Sequence, residues 1–246
     1  MSIPKIIHYC WFGGGAISPE NRKCMESWKK YCPDYKIMAW NDQNFDISTN
    51  RYAQQAYEAK KYAFVSDYVR LAVLYEYGGI YLDTDVELVR PLDELLELPG
   101  FMGFQTNNEV ATGLGFGARK GNSVVQALLR DYDALDFLKA DGSADLTPCP
   151  ERNTRVLQAL GVRKDGTRQS IAEMEIFPAE YFCPMDLYSR ELRVTPKTYS
   201  IHRYAESWKP KPSAVSRILQ RLLKKHYYTW YCPLRGRIEG RLRKRT

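Results

Sequence analysis

An α/β domain built on a largely parallel sheet is the fold this chain predicts, and three observations predict it. Short apolar runs alternate with helix-patterned segments from the N-terminus onward, which is the order that strand–helix–strand units require. Glycine clusters at 13–15 and 78–79 punctuate that alternation where an element has to end. The composition, 44% hydrophobic and 26% charged over 246 residues, is enough to fill one sizeable core.

Taken in order, Ile3 to Phe12 reads as the first strand, closed by the turn Gly13-Gly14-Gly15. Ser18 then caps a helix with Pro19 at its first position. That helix runs to about Tyr31, since Cys24 and Trp28 share a face and Pro33-Asp34 follows. Tyr35 to Trp40 is a second strand. A long helical pattern starts at Arg51, open to a break near Ala63. Its second part places Phe64, Leu71, Leu74 and Tyr75 at helical spacing and stops at Gly78-Gly79. Ile80 to Leu82 is the third strand. Gly100 to Ala118 reads as further strands, and Asn122 to Leu138 and Thr154 to Leu160 as helices. Ile176 to Phe182 and Tyr199 to His202 read as late strands.

The net charge of +7 is uneven. Residues 209–246 hold twelve Lys and Arg against one acid, so residues 1–208 carry −4 and the tail +11. The expected division is therefore a catalytic-type body, 1–208, and a basic amphipathic helical tail, 209–246. In the tail Val215, Ile218, Leu219, Leu222 and Leu223 form one helical stripe, with Arg217, Arg221, Lys224 and Lys225 outside it. Tyr227, Tyr228, Trp230 and Tyr231 follow, and such aromatics suit the headgroup level of a bilayer. The expected partner is the anionic inner membrane leaflet, against two blander readings, packing on the body or a solvated tail; nucleic acid is not expected. No run approaches a spanning helix and the N-terminus lacks a signal peptide's apolar core, so the expected location is cytoplasmic, peripheral on the membrane. The six cysteines show no metal-like grouping and are expected to be reduced and structural.

Asp83 and Asp85 follow the apolar strand directly. In a strand, residues two apart point to one side, so the two carboxylates project together at its carboxyl end, the edge where open α/β sheets bind ligands. Close carboxylates repel unless a cation sits between them, and hard oxygen ligands suit Mg2+ or Mn2+. The bland alternative is a surface turn. A second triplet, Asp131-Tyr132-Asp133, shows how weak the pattern is alone, and reads as a solvated helix face.

Two stretches, Phe64-Val65-Ser66-Asp67-Tyr68-Val69-Arg70 and Leu74-Tyr75-Glu76-Tyr77-Gly78-Gly79-Ile80-Tyr81-Leu82-Asp83-Thr84-Asp85, change that balance. They resemble the signature of the DXD-type sugar transferases that include bacterial capsular polysaccharide synthesis proteins and fungal Golgi mannosyltransferases. The glucosyltransferase domains of large clostridial toxins are more distant relatives. Ile3 to Gly14 is similar to that family's opening strand, and His202 to Trp208, more weakly, to its closing motif. The resemblance implies a GT-A, Rossmann-like fold, a nucleotide-sugar donor (a UDP-sugar foremost), a divalent metal (Mn2+ before Mg2+) and a saccharide acceptor, possibly lipid-linked, in capsular or surface polysaccharide assembly. It implies transfer with retention at the anomeric carbon.

By the same resemblance Asp85 ligates the metal, and Asp83 holds the ribose or reaches the metal through water. Asp67 and Arg70 contact the donor's sugar hydroxyls, Arg70 also lying near phosphate; these four form the catalytic set. Trp11 stacks on the base, with Phe12 beside it on the cofactor-binding side; the alternative for Trp11 is plain core. His202 is a further metal ligand, and Ser207 and Trp208 close over the diphosphate. His8 reads as structural. Relatives carry a Gly-Pro turn where this chain has Thr147-Pro148-Cys149-Pro150, which leaves the acceptor side unassigned; Glu109 and Glu151 are unranked candidates for a base, should the reaction invert. Two other classes compete: a metal-dependent phosphohydrolase, and a non-catalytic module binding membrane or nucleic acid.

Overall fold

The computed structural model describes residues 2–186 and 189–205. Ser207, Trp208 and the whole amphipathic tail lie outside the described residues. Among the described residues no helix is long and apolar enough to cross a membrane.

The chain runs β1 (Ile6–Cys10), α1 (Pro19–Tyr31), β2 (Lys36–Trp40), α2 (Arg51–Glu58), α3 (Tyr62–Tyr77) and β3 (Gly79–Tyr81). β4 (Val86–Leu88), β5 (Gly100–Phe104), β6 (Val110–Ala111) and β7 (Phe116–Ala118) follow. Next come α4 (Ser123–Asp133), α5 (Cys149–Ala159), β8 (Gln169–Ile171), β9 (Met174–Phe177), α6 (Ala179–Phe182) and β10 (Ser200–His202). The main sheet has the order β2-β1-β3-β7-β5-β9-β8, with β6 paired to β5. It is parallel through β2-β1-β3 and again between β5 and β9, while β7 runs antiparallel to both β3 and β5. β10 and β4 form a separate antiparallel pair.

Local chemistry sets the boundaries. Ser18 Oγ accepts the Asn21 N–H at 3.1 Å and Pro19 opens α1, as expected. The break between α2 and α3 falls at 59–61, where Lys60 takes a positive φ of 57°. Gly78 ends α3 with φ 66°, its N–H on the Leu74 carbonyl. Gly79 has φ 110°, and a Cβ there would stand 2.8 Å from the Ile6 carbonyl oxygen, so only glycine lets β3 close on β1. Asn122 caps α4 through Oδ1, which accepts the Val124 and Val125 N–H groups.

The first strand is shorter than expected, Ile6–Cys10, and α4 stops at Asp133, short of Leu138; two further boundaries differ at proline. α5 begins at Cys149, well before Thr154, because Pro150 falls in the first helical turn, where its missing N–H costs nothing. The late strand expected to reach Phe182 stops at Phe177; Pro178 turns the chain into α6.

The sheet separates two hydrophobic layers. On one face Tyr81, Met102, Phe104 and Phe116 pack against α2, α3, α4 and α5. On the other, Ile7, Ile80, Leu82 and Phe101 pack against Trp28 of α1 and the turn at 93–97. Each fully buried aliphatic or aromatic side chain contributes roughly 1.5–3 kcal/mol. The alternation Ile80, Tyr81, Leu82 across the two layers sends residue 83 to the α3 side, the side on which Tyr81 lies.

Candidate functional site

Cys10 pairs with Trp40, and His8 with Tyr81, so β1, β2 and β3 end at one edge of the sheet. Trp11, Asn41 and Leu82-Asp83 emerge there together. The Asp83 N–H bonds the Gly113 carbonyl at 3.2 Å, and Val86 N–H turns back onto the Asp83 carbonyl at 3.0 Å. Asp83 and Asp85 therefore sit on a tight, hydrogen-bonded loop.

α1 clamps that loop from one side. Asn21 Nδ2 donates to Thr84 Oγ1 at 2.9 Å, Trp28 Nε1 donates to the Val86 carbonyl at 2.7 Å, and the Leu88 N–H donates to Ser27 Oγ at 2.8 Å. α3 holds it from the other. Arg70 Nη2 lies 3.1 Å from Asp67 Oδ1 and 3.2 Å from Asp83 Oδ1, while its Nε donates to the Ser66 carbonyl. The guanidinium lies 5.0 Å over the Tyr81 ring, whose hydroxyl donates to Asp83 Oδ1 at 2.9 Å. Asp67 and Arg70 are thus no exposed helix pair. Both are buried, and Arg70 bridges two carboxylates, because a desolvated charge has to be matched.

The third wall comes from β10. His202 Nε2 lies 3.2 Å from Asp85 Oδ1, and the Ala205 N–H donates to Asp85 Oδ2 at 2.7 Å. Antiparallel pairing of His202 with Val86 delivers the histidine to Asp85. Burial pushes the Asp85 carboxyl up, but the His202 charge and the His202 and Ala205 hydrogen bonds outweigh it and hold the group at about 2. Burial pushes Asp83 up, Arg70 pulls it back, and the neighbouring Asp85 charge adds to the rise. His202 is lowered by burial but raised overall by Asp85. Asp67, raised by burial against the pull of Arg70, reaches about 6.

Asp83, Asp85 and His202 each present a ligand atom within 4.8 Å of the others. Two carboxylates and an imidazole form a donor set for a divalent cation such as Mn2+ or Mg2+. His202 Nδ1 is buried with no hydrogen-bond partner among the described residues, and the like charges of Asp83 and Asp85 would both be relieved by a cation. The residues present fit a metal.

Trp11 is half-buried and belongs to neither hydrophobic layer, so packing does not consume its ring. Phe12, expected beside it on the cofactor side, is instead buried in the α3-side core, since alternation at the strand end turns it inward. The Gly13 N–H donates to Asp42 Oδ2 at 3.0 Å, which pins the glycine turn to the end of β2. A cavity of about 690 Å³ lies beyond the end of β2, lined by Asp42, Asn44, Asp46, Gln54, Tyr57 and Glu58; none of Asp83, Asp85 and His202 lines it. His8 is neutral and structural, with Nε2 on the Gly78 carbonyl at 2.9 Å and Nδ1 accepting from Trp40 Nε1 at 3.0 Å. Glu109 is taken up by Lys164, Gln105 and Asn107, and Glu151 is exposed in the first turn of α5. The second aspartate triplet lies in α4, with Asp131 paired to Arg155 and Tyr132 buried. Cys10, Cys24, Cys32, Cys149 and Cys183 are free and buried, as expected; Cys232 lies outside the described residues.

Several residues of the site escaped the sequence reading. Asn21 carried a signal, a polar residue at helical spacing with Cys24 and Trp28 on the buried face of α1. Tyr81 carried one too, two residues before Asp83 on the same face. Gly113 carried none: a Cβ there would fall 2.1 Å from Asp83 Oδ2.

Residues 18–101 match the family model described as a glycosyltransferase sugar-binding region containing the DXD motif, and that stretch contains Asp67, Arg70, Asp83 and Asp85. The chain is 30% identical over 151 residues to inositol phosphoceramide mannosyltransferase 3 of Schizosaccharomyces pombe, covering 55% of this chain and 39% of that protein. It is 26% identical over 221 residues to an uncharacterized glycosyltransferase of Acanthamoeba polyphaga mimivirus, covering 85% and 84%. Among solved structures it is similar to PaToxG glycosyltransferase, with TM-score 0.49 and 22% identity over 64% of this chain and 70% of that one. This chain thus spans well under half of the fission-yeast relative. The resemblance to DXD-type glycosyltransferases drawn from residues 64–85 is borne out.

Proposed function

We propose that this chain is a metal-dependent glycosyltransferase that moves a sugar from a nucleotide-sugar donor, foremost a UDP-sugar, to a saccharide acceptor. The observation that carries the reading is the convergence of Asp83, Asp85 and His202 beside the buried Asp67–Arg70 pair, with Asp67, Arg70, Asp83 and Asp85 all in the stretch that matches the DXD family. Asp83, Asp85 and His202 would hold the cation, Mn2+ before Mg2+, which when bound supplies Lewis-acid stabilisation of the departing nucleoside diphosphate.

The chain's own groups have separate tasks in this reading. Asp67 accepts from sugar hydroxyls, and Arg70, whose Nη2 already lies between Asp67 and Asp83, holds the sugar end in register with the diphosphate end. Trp11 offers its free face to the base. Among the described residues Asp67, Asp83 and Asp85 are all paired or hydrogen-bonded, and in this reading transfer retains the anomeric configuration, with the leaving phosphate taking the acceptor's proton. The fission-yeast relative is named for mannosyl transfer to inositol phosphoceramide. We extend the coarser part of that to this chain: a lipid-linked acceptor in surface polysaccharide assembly, met by a peripheral enzyme on the cytoplasmic face of the membrane.

The test is incubation with MnCl2 and UDP-glucose, UDP-galactose, UDP-N-acetylglucosamine or GDP-mannose, with and without saccharide acceptors. Release of nucleotide from one donor, abolished by EDTA, is the expected result. Hydrolysis of simple phosphate esters with no release from any nucleotide sugar would instead establish a phosphohydrolase. Trp11→Ala should raise KM for the donor about 5- to 100-fold with kcat little changed, the range for loss of one base–aromatic stack. Loss of folding instead would return Trp11 to the core.

A further inference from the structure

The departure at Thr147-Pro148-Cys149-Pro150 does not lie apart from the site. Cys149, the first residue of α5, is buried against the Asp67–Arg70 pair. Its Sγ accepts from Asn153 Nδ2 at 3.2 Å, lies 3.2 Å from Thr112 Oγ1 and takes a longer contact, 3.8 Å, from Arg70 Nη1. The Cys149 side chain also lowers the Asp67 carboxyl somewhat against the effect of burial. Thr112 Oγ1 accepts from Asn153 Nδ2 at 3.1 Å and from Arg70 Nη1 at 3.5 Å. Asn153 Oδ1 is wholly buried and has no hydrogen-bond partner among the described residues, where the amide is held by its donor side. One turn along, Arg152 anchors α5 through Asp145 at 2.8 Å, its guanidinium over the Tyr52 and Tyr132 rings.

These contacts form a mechanical chain. Arg70 uses a single nitrogen, Nη2, for both Asp67 and Asp83. Any shift of Asp67 therefore reaches Asp83 through Arg70, and Gly113, next to Thr112, leaves Asp83 no room on its other side. Burial keeps the Cys149 thiol protonated, pushed up to about 12, so it adds no second anion beside Asp67 and Arg70.

We propose that Cys149 and Asn153 are positioning residues: the first turn of α5 fixes the Asp67–Arg70 pair in the geometry that receives the donor sugar. The proposal rests on the glycosyltransferase reading above. Neither residue has to touch the sugar; each acts through Asp67 and Arg70.

A double-mutant cycle with Asp67→Asn tests it, reading Kd for the accepted nucleotide sugar with MnCl2 and, for the single variants, KM and kcat. Cys149→Ala should weaken donor binding about 5- to 10-fold, with kcat changed less than about twofold. Cys149→Ser, which restores a small polar group against Arg70, Thr112 and Asn153, should return Kd to within about twofold of the parent. In the Asp67→Asn background Cys149→Ala should add little, because residues that act on one another are not additive. If Cys149→Ala does not fold, Asn153→Ser takes its place in the cycle with the same expectation. Equal effects in both backgrounds, or an unchanged Kd in the single variants, would overturn the proposal and leave the glycosyltransferase reading standing. A parent protein that binds no nucleotide sugar in the panel would sink both.

Discussion

Gly113 is glycine because the Asp83 carboxylate occupies the place its side chain would take, 2.1 Å from an added Cβ. Its backbone is ordinary, so Gly113→Ala tests contact and not conformation. The expected outcome is a fall in kcat/KM on the order of 100-fold, the usual effect of a displacement of about 1 Å at a reacting centre. Thermal unfolding of the variant should move only a few degrees. Wild-type kinetics in this variant would mean that the position of Asp83 is irrelevant to turnover. His8 is the opposite case, a titratable residue with no part in the site. Burial lowers its pKa to about 4, and its tautomer is set by the Gly78 carbonyl and Trp40. The unfolded chain takes up that proton near pH 6.5 and the folded chain does not until about pH 4. The neutral His8 therefore stabilises the fold fully above pH 6.5, and that contribution, up to about 3 kcal/mol, is lost as pH falls between those values. In an NMR titration the His8 ring signals should stay unshifted from about pH 7.5 to pH 5. A midpoint near 6.5 would show that the ring is hydrated.

At the scale of elements, α1 does more than cover the sheet. Asn21, Ser27 and Trp28 each bond the loop or strand following Asp83, so the helix acts as a brace for the segment that carries Asp83 and Asp85. Ser18→Ala should cost about 1 kcal/mol by removing the cap, measurable by urea unfolding, with little effect on KM. If KM moved and stability did not, the brace would be transmitting a local change that the cap alone does not cause. The α3–Gly78–Gly79–β3 unit was legible because a positive-φ glycine, a helical apolar period and a strand period follow one another within a short stretch. α5 was only half legible: prolines at 148 and 150 look like a loop in sequence, and their tolerance in a first turn shows only once the helix is seen to begin at Cys149.

For the whole molecule, charge is divided between a mildly acidic body and a strongly basic tail. We propose that residues 209–246 bring the body to an anionic bilayer, where a lipid-linked acceptor would be met; each Lys or Arg near such a surface is worth roughly 1 kcal/mol. Full-length protein should sediment with liposomes in proportion to their anionic content at low salt, and a version ending at Trp208 should not. Equal pelleting of the two, or none by either, would remove the membrane from this picture.

The sequence by itself determined the α/β class, the end of β3 with Asp83 and Asp85 beyond it, the Ser18 cap, the Gly78-Gly79 stop and the resemblance that named Asp67, Arg70 and His202. All of these rest on patterns a few residues long, where backbone sterics and hydrogen bonding act locally. Only the tertiary structure decided that Arg70 is shared between Asp67 and Asp83, that His202 meets Asp85, that Phe12 is core, and that Gly113 and Cys149 border the aspartates. Those neighbours are brought together by β7 inserting beside β3 and by β10 pairing with β4. Such pairings are chosen by burial of whole faces at once, and no short run of residues carries them.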